Sequence, residues 1–416
     1  MKFVTVLLFT WVGFVLSDDV VHYDGYKVYQ IFPKTVAESD LLNKYQENGK
    51  FDFWSRPSIL GAPVDLMVTP TAQASFEKDM KSSGLNYTLL INNVEEKIQE
   101  ENKRLKLAAT VEEGEVTFTE YMRHDEVNAY LRRLAQDYPD VVQVEQIGQS
   151  YEGRDILLIR ISSGGSNKPT IFADATIHAR EWIAGSMALY IINQLVENPE
   201  NSAVYQDIDW VLVPIANPDG YEYTHTDERL WRKTRSKGTI CYGTDPNRNF
   251  DFKWMVAGAS DWQCSDVYAG YSAFSEPETR ALRDYLLKYK DDIKLYLAIH
   301  SYGRYLIFPW GYTSDLPDDN DLLVSVAERV NSAIVAVGGV SYAIGTSTNV
   351  LGLAAGCSDD YAKGGAGINL SYCVELPGGG DAGFNPPASS ILEIVVETWE
   401  GFKAYQEYIQ ETFVDS

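Results

Sequence analysis

The sequence predicts an α/β protein: a mixed, mostly parallel sheet with helices on both faces, preceded by a small α+β unit. Three observations predict it. From about Thr119, apolar strand-length runs alternate with amphipathic helical stretches, the pattern of strands joined by helical crossovers. Strand and helix cues also alternate between residues 18 and 93. A polar helical run, NVEEKIQEENKRLKLAATVEE, separates the two regions. The chain has 416 residues, room for two or three domains, and 45% hydrophobic residues are enough for a large core.

The elements follow in chain order. MKFVTVLLFTWVGFVLS starts with a lysine and runs apolar from Phe3 to Leu16, broken by Thr5, Thr10 and Gly13. Small residues and then acids follow. Residues 1–17 are therefore expected to be a secretory signal peptide, too short and wrongly flanked to span a membrane. No later stretch has eighteen uninterrupted apolar residues, so the mature chain is expected to be secreted, extracellular and without a membrane span. Tyr26–Phe32, Pro63–Thr69 and Leu85–Ile91 read as strands. Ala37–Glu47 reads as a short helix and Thr71–Lys81 as another, capped by Thr71. The helical run after Asn93 has no apolar face wide enough to be core. It is either a solvated helix between domains or an activation linker, with Arg104 and Lys106 as trypsin-type cleavage points. Helices are then predicted over 119–137, 181–197, 276–289, 320–336 and 388–410. Strands are predicted over 141–147, 155–162, 170–176, 209–215, 294–300 and 369–376. Asn86-Tyr-Thr88 and Asn369-Leu-Ser371 are glycosylation sequons. The first is open to use; the second lies in a strand-like run and is expected to be buried.

Charge narrows the partners. The chain holds 59 Asp+Glu against 35 Lys+Arg, a formal −24. That speaks against nucleic acid or an anionic membrane and is compatible with cationic ligands, or simply with a soluble exported protein. Four cysteines in an exported chain can form two disulfides. Nothing indicates an oligomer, so a monomer is expected.

The chemistry starts at TIHAREW, residues 176–182, where His178 and Glu181 stand three apart in a chain with five histidines. His178 follows a predicted strand, His300 ends the strand KLYLAIH, and Glu375 ends the strand NLSYCVE. Open α/β sheets bind ligands outside the carboxyl ends of their strands, so these groups converge on one edge. Catalytic zinc takes three protein ligands and a water, and His-His-Glu is a known set. His178, Glu181 and His300 supply it for one zinc ion.

These segments resemble the metallocarboxypeptidases of the pancreatic carboxypeptidase A and B family, which are secreted as zymogens. The resemblance rests on TIHAREW, LWRKTRS (230–236), DPNRNF (245–250), HSY (300–302), GCSDDYA (356–362) and VELPGGGDAGF (374–384), in the family's order. It implies an eight-stranded carboxypeptidase-like fold over 107–416 and a ferredoxin-like activation propeptide with its linker helix over 18–106. It implies that His178, Glu181 and His300 bind zinc, and that Asp245 holds a zinc histidine in place. Glu375 would be the general base, taking a proton from the attacking water and passing it to the leaving amine. Arg232 would stabilise the oxyanion. Asn247 and Arg248 would grip the substrate's terminal carboxylate, which makes the enzyme an exopeptidase acting on peptide and protein C-termini. Arg180, Ser301, Tyr302 and Phe384 would line neighbouring subsites. Cys241 and Cys264 match the family's common disulfide, and a trypsin-like protease would be the activating partner.

Asp359 in GCSDDYA matches the base of the pocket for the terminal side chain. An acid there resembles the B-type enzymes, which remove Lys or Arg, because an unpaired buried carboxylate favours a cation. The other assignment puts Asp360 at the pocket and Asp359 toward solvent. The sequence departs from the family in three places. Gly352 stands where a mobile tyrosine normally closes over substrate, so weaker binding is expected. Cys357 replaces a usual glycine and, with Cys373, borders the pocket; the two are candidates for a second disulfide. Pro377 follows Glu375-Leu376 where an arginine is common. These departures leave two further readings: a zinc- and peptide-binding protein with little turnover, and an A-type enzyme preferring apolar C-terminal residues.

Overall fold

Two separate sheets carry the chain, seen in a computed structural model that describes residues 20–46, 48–55, 59–107 and 111–415. The signal-peptide reading of residues 1–17 falls outside them. In chain order the first unit contains β1 (Lys27–Ile31), α1 (Val36–Asn43), β2 (Phe51–Phe53), β3 (Val64–Val68), α2 (Gln73–Ser83) and β4 (Tyr87–Ile91). Its sheet runs β2-β3-β1-β4, with every neighbouring pair antiparallel. Tyr29, Ile31, Leu66 and Val68 on the strands pack with Phe76 and Met80 of α2, which repeat at helical spacing. Thr35 and Glu38 close a capping box on α1. The cap expected from Thr71 is not there. Helix α2 begins at Gln73 after Ala72, and the Thr71 hydroxyl sits 3.3 Å from that of Thr69 instead.

Helix α3 (Val94–Leu107) corrects a second expectation. It is not wholly solvated. Val94 and Ile98 are buried in a cluster with Leu230 and Phe384 from the second unit. Val94 and Ile98 are one turn apart, and Leu105 packs partly buried against the core of the second unit; so narrow an apolar face is concealed by the polar composition around it.

The second unit contains α4 (His124–Asp137), β5 (Val142–Gln149), β6 (Asp155–Ile161), β7 (Thr170–Ala175), α5 (Trp182–Val196), β8 (Asp209–Val213) and α6 (Pro218–Thr226). It continues through α7 (Pro277–Tyr289), β9 (Ile293–Ser301), β10 (Tyr305–Phe308), α8 (Asn320–Ala336), β11 (Ala343–Thr346), α9 (Ser347–Leu351), α10 (Ser358–Asp360), β12 (Leu370–Leu376) and α11 (Ile391–Phe413). The eight-stranded sheet has the order β11-β10-β12-β9-β7-β8-β6-β5. Its centre, β12-β9-β7-β8, is parallel throughout. Helix α4 starts five residues later than predicted, where the backbone N–H of Arg123 donates to Glu126 at 2.6 Å.

Alternation on the central strands decides what faces where. Ile171, Ala173 and Ala175 of β7 and Leu295, Leu297 and Ile299 of β9 join the core under α4, α5, α8 and α11. Phe172, Tyr296 and Ala298 point the other way, into the core under α7. His300 has the parity of Tyr296, and Glu375 that of Cys373, so both emerge on the α7 face at the carboxyl ends of their strands. No described helix is long and apolar enough to cross a membrane.

Candidate metal centre and active site

The register of the sheet assembles the site. Strands β9 and β12 pair in parallel with His300 directly beside Glu375. After β7 the chain turns at Thr176, a β-branched residue in the left-handed region (φ 55°), held by its hydroxyl donating to the Pro214 carbonyl at 3.0 Å. That turn swings His178 back over the sheet edge.

His178, Glu181 and His300 are buried, and their donor atoms all lie within 4.8 Å of one another. Nδ1 of His178 lies 2.7 Å from one Glu181 oxygen, and Nδ1 of His300 lies 3.0 Å from the other. The two Nδ1 atoms face each other at 3.1 Å. Nε2 of His178 donates to Asp245 at 3.2 Å, which fixes the ring proton there and turns the Nδ1 lone pair toward His300 and Glu181. Burial and then Arg232 push His178 below the usual histidine pKa, which favours the neutral, ligating form. Two imidazole nitrogens and a carboxylate facing one another fit zinc.

Asp245 also accepts from Nε and Nη2 of Arg232, at 3.2 and 3.0 Å. One carboxylate thus aims both the histidine and the arginine. Glu375 has an oxygen sealed from solvent with no partner. Burial and then the nearby Glu181 lift its carboxyl to about 8, against the pull of His300 and Arg232. A cation beside it lowers that value.

Asn247 and Arg248 lie in the turn after Asp245. The Asn247 carbonyl oxygen accepts from Ser358 N at 2.8 Å. Arg248 donates through Nε to Gly258 and through Nη1 to the Asn247 backbone, at 3.0 and 2.6 Å. Its Nη2 and the Asn247 Nδ2 have no hydrogen bond to a described residue. Asp359 and Asp360 are both buried, so neither faces solvent. Asp360 is occupied by the backbone N–H groups of Gly311 and Tyr312. Asp359 accepts from the Ser347 hydroxyl at 3.1 Å and pairs with no cation among the described residues. Burial lifts Asp359 above the ordinary carboxylate range. Burial and then Asp359 lift Asp360 well above it.

The possible second disulfide is absent: Cys357 and Cys373 are buried free thiols, with Cys357 Sγ 3.4 Å from Nη1 of Arg248. Cys241 and Cys264 are bonded across 23 residues, a loop closure worth about 3.5 kcal/mol in the chain-entropy account.

Gly352 caps α9 with φ 91° and ψ 175°, a conformation essentially reserved for glycine. Its turn is pinned: Gly352 N donates to Thr348, Ala354 N to Gly311 and Ala355 N to Ala257. Gly258 packs so closely that a Cβ there meets the Leu353 carbonyl at 1.7 Å, and its φ is 63°. Gly258→Ala is therefore expected to cost about 1–3 kcal/mol, read as a fall of several degrees in Tm by calorimetry. An unchanged Tm sinks the claim that this turn is rigid.

The first unit reaches into the same edge. Asp52 accepts from Arg180 Nη1 at 2.9 Å, and Tyr302 OH donates to Asp65 at 3.0 Å. Trp54 packs edge-on against Phe384, ring centroids 5.4 Å apart. Arg229 joins Glu101 of α3 to the Arg180 and Phe384 carbonyls. Ser301 lies closer to the metal donors, its N–H donating to Glu181 at 3.2 Å. Sequence reasoning missed Ser347, Arg229, Asp52, Asp65 and Asp174. Two of these left a signal: Asp174 is an acid inside the buried run TIFADA, where Tyr296 OH donates to it, and Asp65 is an acid inside the buried strand VDLMV.

Comparisons with known proteins agree with this arrangement. The zinc carboxypeptidase family pattern matches residues 127–401, and the carboxypeptidase activation peptide pattern matches residues 29–101. The chain is 48% identical to carboxypeptidase B of Astacus astacus over 71% of this chain and 99% of that one. It is 37% identical to carboxypeptidase B of Helicoverpa zea over 96% and 97% of the two chains. The crystal structure of carboxypeptidase A from Helicoverpa armigera superposes with a TM-score of 0.89 at 33% identity, covering 95% of this chain and 99% of that one. The chain belongs to the zinc carboxypeptidase family, as a zinc-dependent peptide hydrolase with an activation peptide ahead of its catalytic domain.

Proposed function

We propose that the protein is a secreted zymogen whose mature form removes C-terminal Lys or Arg. The observation that carries the specificity is Asp359, buried beside the Ser347 hydroxyl and paired with no cation among the described residues. A substrate guanidinium or ammonium supplies the missing charge; a phenyl or isobutyl group leaves it unpaired.

His178, Glu181 and His300 would hold the zinc, which would supply a Lewis acid for the scissile carbonyl and a lowered pKa for water. Asp245 positions His178. Glu375 takes the proton of the attacking water on its unpartnered oxygen and returns it to the leaving amine nitrogen. Arg232, braced by two hydrogen bonds from Asp245, donates to the carbonyl oxygen as negative charge develops there. The free Nη2 of Arg248 and Nδ2 of Asn247 bind the terminal carboxylate, which restricts cleavage to the last peptide bond. Arg180, Ser301, Tyr302 and Phe384 contact residues further up the substrate. Blocked dipeptides ending in Arg and in Phe, assayed after trypsin treatment with and without a zinc chelator, test this. Chelator-sensitive release of Arg far above Phe is expected. Release of Phe above Arg moves the protein to the A type.

The propeptide spans residues 18–106, follows the signal peptide 1–17, and is freed by a trypsin-like protease at Arg104 or Lys106. The catalytic domain, 107–416, acts as a monomer. Latency is supported by Asp52 on Arg180, Asp65 on Tyr302 and Trp54 on Phe384, which fill the approach a peptide needs. Asp52→Ala, which removes the bond from Arg180 and the bond Asp52 accepts from Trp54 Nε1 at 2.9 Å, is expected to raise the basal activity of the uncut chain about tenfold. A wild-type uncut chain that already works at the full rate rules out latency.

A further inference from the structure

The second sequon does not lie where its sequence suggested. Asn369 is exposed, in the bend just before β12. Its backbone carbonyl accepts from Lys363 Nζ at 2.7 Å, but its side-chain amide has no hydrogen bond to a described residue. Two residues earlier, Gly367 has φ 83° and open space where its Cβ would lie. Asn86 repeats the arrangement. It is exposed just before β4, two residues after Gly84, whose φ is 74° and whose Cβ position is also open. In both cases a left-handed glycine and then a buried residue, Leu85 or Ile368, precede the exposed asparagine as the chain enters a strand.

We propose that Asn369 is an N-glycosylation site of the mature enzyme, and that Asn86 is a second site lost with the propeptide. This rests on the secretory reading of residues 1–17. The donor class is an oligosaccharide linked through a diphosphate to a lipid. The Asn369 Nδ2 forms the bond to the anomeric carbon, the carbon–oxygen bond to the diphosphate breaks, and the amide gives up one proton to the transferase. No oxidant or reductant is required.

Two features of the fold govern when and where this occurs. Ser371, the third residue of the sequon, is fully buried, and its hydroxyl donates to the Asp359 carbonyl at 2.8 Å. Strand β12 lies between β9 and β10. A transferase that must reach both Asn369 and Ser371 therefore acts before β12 enters the sheet. The sugar then stands at the amino end of β12, six residues and roughly 20 Å from Glu375 at its carboxyl end. It leaves the substrate approach open. Asn86 lies on the amino side of Arg104 and Lys106, so activation removes it.

The test is expression of the full chain in a glycosylating secretory host, followed by peptide-N-glycosidase treatment and peptide mass mapping before and after trypsin activation. Two glycans are expected on the full chain and one, at Asn369, on the activated enzyme. N369Q is expected to lose the shift of the activated enzyme while keeping its kcat/KM; N86Q is expected to lose only the propeptide's. Wild-type peptide mapping decides the matter even if N369Q misfolds. Exported protein with residue 369 unmodified overturns the proposal and leaves the secretory reading intact. Protein kept inside the cell with residues 1–17 uncut overturns both.

Discussion

Glu375→Gln is expected to lower kcat by about 10²–10⁴-fold on every substrate, with zinc content unchanged. The substitution keeps the shape of the side chain at the end of β12 and removes only its ability to take a proton. Glu375 makes no hydrogen bond through its buried oxygen, so little structural energy is lost with the charge. The metal donors are untouched: His300, on the adjacent strand beside Glu375 in register, faces Glu181 through Nδ1. KM should change little if the lost interaction belongs to the transition state. Steady-state kinetics with metal analysis of the same sample decides it. Activity within tenfold of wild type, at full zinc occupancy, removes Glu375 as the base.

The second large effect is on specificity. Asp359→Ala is expected to lower kcat/KM for C-terminal Arg by about 10²-fold or more, the order of 3 kcal/mol for losing a charged partner in a closed site. Activity toward a C-terminal norleucine should hold or rise, because the same change removes an unpaired acid from an apolar ligand's path. A pH dependence follows with a definite sign. Burial raises the pKa of Asp359, so the carboxylate that a cationic side chain needs forms at higher pH than usual. The ratio of kcat/KM for Arg over norleucine should therefore fall as pH is lowered through that raised pKa. Taking the ratio cancels the titration of Glu375, which both substrates share. A flat ratio, or an Asp359→Ala enzyme that still prefers Arg, shows that the pocket is set by other groups.

The central sheet was legible because its strands are buried on both faces and read as continuous apolar runs, as in TIFADA and KLYLAIH. Strands β10 and β11, four residues each, were too short to stand out from the loops around them. Helix α6 opens on Pro-Asp-Gly, which reads as a turn; its cap is Asn217, whose side chain accepts from Gly220 N. At the site, His300 and Glu375 announced themselves near the ends of strands and His178 just after one, while Arg232, Asn247 and Arg248 emerged only from family motifs. The contact of Asp52 with Arg180 spans 128 residues, and no local pattern carries such a pairing. Exposure of Asn369 was missed because a strand-like run was extended one residue too far. Asn369 is the last residue outside β12.

The turn at Gly352 limits what a single substitution can do. Its left-handed, extended backbone and its three pinning hydrogen bonds form a unit that no residue with a side chain enters without distortion. A tyrosine placed there by a single substitution meets backbone angles that only glycine adopts readily, so the turn has to shift before the ring can close over the site. Tighter substrate binding is therefore reached more readily through other walls of the cleft than through this position.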